Sequence, residues 1–400
     1  MSEILGILKS GHWPSLAGAW LHLTVSFMVW LLVGAMSLPL MAALQLSETE
    51  IAWLVSLPLL GGAVLRIVAG WSADWLGARP TAVVILVMEC LVLCWGWLGV
   101  TGYGEALAFS ACLGVAGASF AVALPIASRA YPPPAQGLVL GLAASGNVGT
   151  VLIFFLAPRW AAAMDWHQIC GLMACVVAVT TVGFVIAVPR TRPVADTRVV
   201  AWWYHAVQLI HRRLAYWLSF LYAVTFGGFV GLCSVLPLVL HDVYRIDAIE
   251  AGAVAALCGL MGSVIRPVGG YVADRQGGLQ TLYYVLPVIA GAVVAVISPS
   301  QTMAVVMMVV ATAAMGFGNG VVFQLVAEWF PKDIGLASGV VGASGAIGGF
   351  LLPIVIGTMK GLSGSYESGL WLFAGFTVCA WGTVIVALRA NRSSPTELSS

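Results

Sequence analysis

The sequence predicts an all-α membrane protein with twelve transmembrane helices in two six-helix halves. The 400-residue chain is 61% hydrophobic and only 8% charged, whereas soluble domains average ~25% charged residues. Twelve apolar segments are each long enough to cross a bilayer, which takes ~20 residues. A pattern of residues also recurs at an interval of 200, which indicates that the two halves are repeats of one another.

The twelve predicted spans are separated by short connections, except at the middle of the chain. They cover residues 16–38, 49–72, 80–100, 106–128, 137–157, 168–189, 214–240, 249–273, 280–299, 302–327, 334–357 and 368–389. The longest polar stretch, 190–213, is predicted to be a cytoplasmic linker. It separates an N-terminal half (1–189) from a C-terminal half (214–389), and residues 390–400 form a cytoplasmic tail.

Lysine and arginine are distributed unevenly between the two sides of the membrane. One side carries Lys9, Arg79, Arg129, Arg190, Arg192, Arg198, Arg212, Arg213, Arg275, Lys332, Arg389 and Arg392, and the other carries Arg159, Arg245 and Lys360. Because basic residues accumulate on the cytoplasmic side, both termini are predicted to be cytoplasmic.

Several classes of function have no support in the composition. The net charge is +1 and no basic run is present, so nothing indicates nucleic-acid binding. The eight cysteines lie in apolar segments without the spacing of metal ligands, and no nucleophile–base pair or phosphate loop is present. We therefore expect neither an enzyme nor a bound metal or cofactor.

Two arginines lie deep inside predicted spans. Arg66 and Arg266 are 200 residues apart, and each lies eight residues before an aspartate, Asp74 or Asp274. Eight helical residues span ~12 Å, so both arginines are expected near the middle of a ~30 Å hydrocarbon core. A charge there costs at least ~2.5 kcal/mol and by default indicates a functional site.

The chemistry of guanidinium suggests which ligand the arginines bind. Arginine keeps its proton in proteins, and two such charges ~10 Å apart repel by ~1.7 kcal/mol at an effective dielectric constant of 20. One small anion shared by both would relieve that repulsion, and the planar fork suits a planar oxyanion. The alternative is that each arginine forms a structural pair with Glu89, the only acidic residue near the middle of a span, or snorkels to the membrane surface. For Glu89 itself we expect a structural or lipid-shielded role rather than proton coupling.

Longer motifs resemble a known family of transporters. The segment Gly70-x-x-x-Asp74-x-x-Gly77-x-Arg79 resembles the loop signature of the major facilitator superfamily. The Gly-rich runs 141–149 and 339–353, together with Gly318-Asn319-Gly320, resemble the nitrate/nitrite porters of that superfamily over essentially the whole chain. The resemblance implies the major facilitator fold and a monomer in the bacterial inner membrane, surrounded by lipid.

The same resemblance implies roles for particular residues. The substrate-binding set would be Arg66, Arg266, Asn147, Tyr222, Phe27, Phe120, Phe226, Asn319 and Ser119. Ser119 stands where the family pattern would have asparagine. The conformational set would be the helix-face glycines Gly141, Gly146, Gly149, Gly342, Gly345 and Gly348, with Asp74 and Arg79 of the loop signature. The bland interpretation of most of these glycines is close helix packing.

The predicted function is transport of nitrate, nitrite or both by alternating access, with the anion held between Arg66 and Arg266. A transporter of formate or oxalate and a non-transporting membrane sensor remain as alternatives. The sequence leaves open whether nitrate is exchanged for nitrite or moves with protons, and whether the direction is import or export.

Overall fold

The protein is all-helical in a computed structural model that describes residues 11–132, 139, 142–190, 212–298, 300–330 and 334–393. In the first half, three helices are continuous: α2 (Glu48–Trp75), α3 (Ala78–Leu98) and α6 (Trp166–Ala187). The other three are divided into consecutive pieces. These are α1 (Trp13–Trp30, Leu32–Ala35 and Ser37–Leu44), α4 (Tyr103–Leu113, Gly114–Ser119 and Phe120–Arg129) and α5 (Ser145–Val148 and Gly149–Ala161).

The second half contains the same number of helices. Here α7 is Arg213–Tyr222, Ala223–Gly227 and Gly228–Tyr244, α8 is Ala248–Val264 and Arg266–Gln276, α9 is Gly278–Ala295, α10 is Gln301–Trp329, α11 is Ile334–Ser363, and α12 is Glu367–Ser393. Within the described residues, eleven helices are long and apolar enough to cross a membrane. These eleven are α2 to α12.

The first predicted span, 16–38, is not one continuous helix. The backbone at Leu31 and Met36 has ψ of 7° and 16°, which interrupts the regular geometry and divides α1 into three pieces. The chain nevertheless keeps its i→i−4 bonds, since the Leu31 amide donates to the Phe27 carbonyl at 3.2 Å and the Met36 amide donates to Leu32 at 3.0 Å. Hydropathy predicts the apolar segment but does not detect such a local change of ψ.

By its internal packing the chain divides into two compact units. Unit 1 comprises Met1–Leu46 and Leu57–Ala201, and unit 2 comprises Ser47–Ser56 and Trp202–Ser400. The beginning of α2 therefore groups with the second unit. The predicted linker falls largely on residues 191–211, which lie outside the described part of the chain.

A polar cluster in unit 2 holds the beginning of α2. The Tyr366 hydroxyl lies 3.0 Å from Glu48 Oε2 and 2.7 Å from Asp242 Oδ2. Burial and these two carboxylates raise the pKa of the Tyr366 phenol, so the hydroxyl remains a donor. A side chain at Gly357 would collide with Ala52 of α2, so glycine is needed for this close approach.

Glycine pairs bring neighbouring helices together beside both arginines. A Cβ atom on Gly61 would lie 2.9 Å from the Cα of Gly114, which places α2 against α4 in unit 1. In unit 2, a Cβ on Gly316 would collide with the Gly262 carbonyl, which places α8 against α10. Small residues permit such close crossings in membranes. The repeat therefore uses the same packing device twice.

Candidate functional site

Arg66 lies on α2 with its side chain inside unit 1. It is 8% exposed, and its Nε and Nη2 atoms both donate to the Gly117 carbonyl of α4, at 3.2 and 3.1 Å. The guanidinium carbon lies 5.7 Å from the Trp30 ring centroid and 5.5 Å from the Phe120 ring centroid. These are cation–π distances. One backbone carbonyl and two aromatic rings thus orient the charge.

The Gly117 carbonyl reaches Arg66 because Gly117 has no side chain. A Cβ atom there would lie 2.6 Å from Trp30 Nε1 and 2.7 Å from the Gly62 Cα. Trp30 is held in turn by a 2.7 Å bond from its Nε1 to the Pro58 carbonyl of α2. Trp30 contributes to the site although the sequence did not single it out. The only signal for it is its position three residues after Phe27 on α1.

Ser119 ends the 3₁₀ segment Gly114–Ser119 inside α4, directly before Phe120. Its side chain is fully buried, and its Oγ has no hydrogen-bond partner among the described residues. A buried polar group without a partner costs ~1–3 kcal/mol, so this hydroxyl calls for a functional explanation.

Asn147 lies on a second 3₁₀ segment, Ser145–Val148, where α5 packs against α1. A Cβ on Gly146 would lie 2.9 Å from the Leu23 Cβ, and a Cβ on Gly149 would collide with the Thr24 carbonyl. Phe27, on the same stretch of α1, packs edge-on against Trp30 at 5.4 Å. The two glycines thus serve packing within unit 1, while their predicted conformational role stays a prediction.

Arg266 occupies the equivalent place in unit 2, immediately after α8 is interrupted at Ile265. Its Nη2 donates to the Tyr222 hydroxyl at 3.3 Å, and its guanidinium carbon lies 5.6 Å from the Phe226 ring centroid. The Tyr222 and Phe226 rings are stacked at 5.0 Å with an angle of 3° between their planes. Phe323, which the sequence did not indicate, meets the edge of this stack at 5.0 Å from Tyr222.

A π-helical turn, Ala223–Gly227, presents this aromatic pair on α7. A Cβ on Gly345 of α11 would lie 2.5 Å from Tyr222 Cδ1 and 2.9 Å from Phe226 Cδ1, and a Cβ on Gly348 would lie 2.5 Å from the Ala223 carbonyl. The glycine face of α11 therefore accommodates the wide turn. Single π turns inside α-helices are frequent at functional sites.

Asn319 lies on α10 between two glycines and is fully buried. Neither its Nδ2 nor its Oδ1 has a hydrogen-bond partner among the described residues. Asn319 follows Ser119 by 200 residues, the same interval that separates Arg66 from Arg266. Each unit thus contributes an arginine and, at the equivalent position, a buried polar side chain whose hydrogen-bonding capacity is unused within the described chain.

The remaining predicted residues are placed elsewhere or fall outside the description. Arg79 donates from Nη2 to the Val185 carbonyl at 2.9 Å and from Nε to the Val188 carbonyl, so it caps the C-terminal end of α6. Gly342 is buried on α11. Gly141 and the side chain of Asp74 lie outside the described residues.

The alternative pairing of Arg66 with Glu89 is wrong. Glu89 Oε1 accepts a hydrogen bond from the Ser26 hydroxyl at 2.7 Å, and Oε2 has no partner in the described part of the chain. The carboxyl group is fully buried, so it is not at the lipid surface either. Arg66 donates instead to the Gly117 backbone carbonyl.

Comparison with known proteins assigns the family. The sequence profile of the Major Facilitator Superfamily matches residues 19–326, which is more than half of the chain. The chain belongs to this superfamily. Its members are transporters and not enzymes, so the protein is a secondary transporter, and the predicted fold class is confirmed.

Curated relatives align along nearly the whole chain. The "Probable nitrate/nitrite transporter NarK2" of Mycobacterium tuberculosis is 32% identical over 388 residues, covering 94% of this chain and 96% of the relative. The "Nitrite extrusion protein" of Bacillus subtilis is 27% identical over 367 residues, covering 91% and 92%. The family resemblance predicted from the sequence is therefore confirmed.

Solved structures agree on the fold at low sequence identity. A D-xylose–proton symporter matches with a TM-score of 0.72 and 16% identity, covering 93% of this chain and 97% of that one. A bacterial homologue of the human lysosomal transporter Spinster, in an inward-facing state, matches with a TM-score of 0.71 and 17% identity, covering 94% and 96%. These two similarities concern architecture alone.

Proposed function

We propose that the protein transports nitrate, nitrite or both across the bacterial cytoplasmic membrane by alternating access. Its termini would lie in the cytoplasm, as the distribution of lysine and arginine predicts. The observation that carries the substrate assignment is the alignment with relatives named for nitrate and nitrite transport over more than nine-tenths of the chain.

We further propose that Arg66 and Arg266 bind the same anion. The support is the interval of 200 residues, because a parallel repeat gives both arginines equivalent places in their units, and substrate sites of such transporters lie between repeats near the membrane midplane. Each guanidinium is already oriented by aromatic rings at 5.5–5.7 Å and by a hydrogen-bond acceptor, the Gly117 carbonyl for Arg66 and the Tyr222 hydroxyl for Arg266. The two arginine side chains would then lose little further conformational entropy when the anion binds.

The buried polar side chains beside the arginines fit an oxyanion ligand. Ser119 can donate one hydrogen bond and the Asn319 amide can donate two, and neither side chain bonds to another described residue. Nitrate and nitrite carry one charge and several acceptor oxygens, so these donors would satisfy the ligand. The remaining site residues, Phe27 and Asn147, would contribute an apolar wall and a further amide.

Uptake by the purified protein in proteoliposomes tests the assignment. Labelled nitrate should enter wild-type vesicles, and excess unlabelled nitrite should compete with it while formate and oxalate should not. Carboxylate uptake that nitrate does not inhibit would assign the protein to the alternative class of substrates. Absence of transport for all four anions, with correctly inserted protein, would support the sensor.

A matched control separates the site from the general effect of changing an arginine. Arg159→Lys removes a guanidinium that also lies against a phenylalanine ring, at 3.6 Å from Phe155, and that also donates to a backbone carbonyl. Because Arg159 is at the end of α5, this variant should transport nitrate like the wild type. Equal losses in Arg66→Lys and Arg159→Lys would contradict the assignment of Arg66 to the substrate.

A further inference from the structure

A second buried polar group in unit 1 lies outside the arginine site. Glu89, near the middle of α3, is 0% exposed. Its Oε1 accepts from the Ser26 hydroxyl of α1 at 2.7 Å, while its Oε2 is buried without a hydrogen-bond partner among the described residues. A carboxylate can accept several bonds, and here it has one. An ionised carboxylate there lacks the further hydrogen bonds that a buried charge needs, so Oε2 is a place where a proton can bind.

Among the described residues, no charged group on the helices around α3 forms an ion pair with Glu89, whose hydrogen-bond partner is the Ser26 hydroxyl. The charged and titratable groups on these helices are Arg79, Cys90 and Cys94 on α3, His22 on α1, Glu48, Glu50 and Arg66 on α2, Tyr103, Glu105, Cys112 and Arg129 on α4, and His167, Cys170 and Cys175 on α6. Arg79 lies ten residues from Glu89, which is ~15 Å along the helix. Arg66 donates to the Gly117 carbonyl and Arg79 to the Val188 carbonyl.

A polar seam between α1 and α3 comprises Glu89, Ser26 and His22. His22 is also fully buried, and its Nε2 lies 3.3 Å from the Ala82 carbonyl. A carbonyl only accepts, so Nε2 donates, which leaves Nδ1 as a buried acceptor without a partner in the described residues. His22 and Ser26 are four residues apart on one face of α1. The seam thus holds two titratable side chains with unused hydrogen-bonding atoms.

Helix α1 also connects the seam with the arginine site. Ser26 precedes Phe27 and lies one turn before Trp30, whose ring is 5.7 Å from the Arg66 guanidinium. Unit charges on the order of 10–15 Å apart change one another's binding constants by roughly tenfold at an effective dielectric constant of 20. An anion at Arg66 cancels the positive charge that favours an ionised Glu89. Binding of the anion and binding of a proton are therefore mutually favourable.

We propose that Glu89, in place of the structural role expected from the sequence, is the proton-binding residue of a nitrate–proton symport, taking up a proton on Oε2 when the anion binds at Arg66. This proposal rests on the proposed function, because it adds the coupled ion to the same transport cycle. Ser26 is a positioning residue that holds the carboxyl through Oε1. His22 lies one turn from Ser26 along the seam and holds another unused acceptor, Nδ1.

Wild-type proteoliposomes test the proposal without any mutation. With a pH-sensitive dye inside the vesicles, addition of nitrate outside should acidify the interior, and an inward proton gradient should increase nitrate accumulation at least tenfold over exchange alone. Nitrate uptake that ignores the gradient and moves no protons would overturn the proton site and leave the proposed function intact. Absence of nitrate uptake under every condition would instead refute the proposed function.

Variants then assign the proton to Glu89. Glu89→Gln removes the titratable group and keeps the shape of the side chain. In this variant, the fold decrease in gradient-driven nitrate accumulation should be at least ten times the fold decrease in nitrate–nitrite exchange. The matched control Glu105→Gln changes an exposed carboxyl at the start of α4 and should keep full gradient dependence. Gradient-driven accumulation that persists in Glu89→Gln would overturn the assignment.

A binding measurement covers the case in which Glu89→Gln does not insert. Nitrate affinity of the wild type should decrease roughly tenfold as pH rises through the titration of one group, and Ser26→Ala should move the midpoint of that profile while keeping its amplitude. A flat pH profile for wild-type binding would contradict the proposal. An unchanged midpoint in Ser26→Ala would contradict the positioning role of Ser26.

Discussion

The two arginine sites have the same chemistry but different supports. In unit 1, Arg66 is 8% exposed and donates twice to one backbone carbonyl, which cannot move without moving α4. In unit 2, Arg266 is only partly buried and donates once to a side chain, the Tyr222 hydroxyl. Unit 1 therefore presents a fixed charge, whereas the charge in unit 2 is held by a group that can rotate.

The backbone that builds each site differs as well. Unit 1 places Ser119 and Asn147 on 3₁₀ segments of α4 and α5, whereas the corresponding α10 and α11 in unit 2 are continuous helices. Unit 2 instead has its irregularity on α7, where a π turn follows Tyr222 and contains Phe226. A duplicated chain can thus retain the functional groups while their presentation changes. The difference suggests experiments on each unit separately.

The largest expected effect is the loss of the planar fork. Arg66→Lys and Arg266→Lys keep the charge but lose bidentate geometry, and bonds between charged groups contribute ~1.5–3 kcal/mol. Nitrate affinity should fall by roughly 10–150-fold in each variant, measured by labelled-nitrate binding. Arg66→Lys should be the worse, since it also loses two bonds to Gly117. Wild-type affinity in both variants would remove the arginines from the site.

The second-largest effect is expected from a substitution that overpacks the aromatic residues beside Arg266 in unit 2. Gly345→Ala introduces a methyl group 2.5 Å from Tyr222 and should destabilise the protein by ~1–3 kcal/mol. Gly339→Ala on the same helix has no atom within 4 Å of the added group and is the matched control. Thermal unfolding in detergent should show a lower midpoint for Gly345→Ala only. Equal unfolding midpoints for the two variants would mean that α11 can move away from α7 without a loss of stability.

The unpartnered polar side chains permit a sharper comparison of the units. Asn319→Ala and Ser119→Ala should each weaken nitrate binding, by ~1–2 kcal/mol for the amide and less for the hydroxyl, because asparagine offers two donors. The ligand-free protein should lose no stability, since neither side chain bonds to another described residue. Calorimetric binding and thermal unfolding together check this. A loss of stability with unchanged affinity would identify both residues as structural.

The smallest expected effect concerns the adjustable support in unit 2. Tyr222→Phe removes the 3.3 Å contact to Arg266 and keeps the ring that stacks on Phe226. One hydrogen bond contributes ~0.5–1.5 kcal/mol, so affinity should fall by roughly 2–12-fold. A decrease as large as that of Arg266→Lys would show that the hydroxyl contacts the anion directly.

Single residues gave clearer signals in the sequence than local backbone geometry did. Arg66 and Arg266 stand out in sequence because a charge in an apolar segment is an energetic anomaly that requires no fold to detect. Trp30 and Phe323 have no comparable signal, since an aromatic residue in an apolar span is ordinary. The 3₁₀ and π segments were not predicted either, because hydropathy is almost the same for all three helix types.

The sequence by itself determined the membrane location, the repeat and the two charges. Composition and the interval of 200 residues can be counted along the chain, so they are recognised without knowing how the helices pack. Only the tertiary structure decided that Gly117 supplies the acceptor for Arg66, that Tyr222 supplies the contact to Arg266, and that Glu89 is buried with an unused oxygen. Those facts depend on how closely helices cross, and that distance is set by pairs of small residues far apart in the chain.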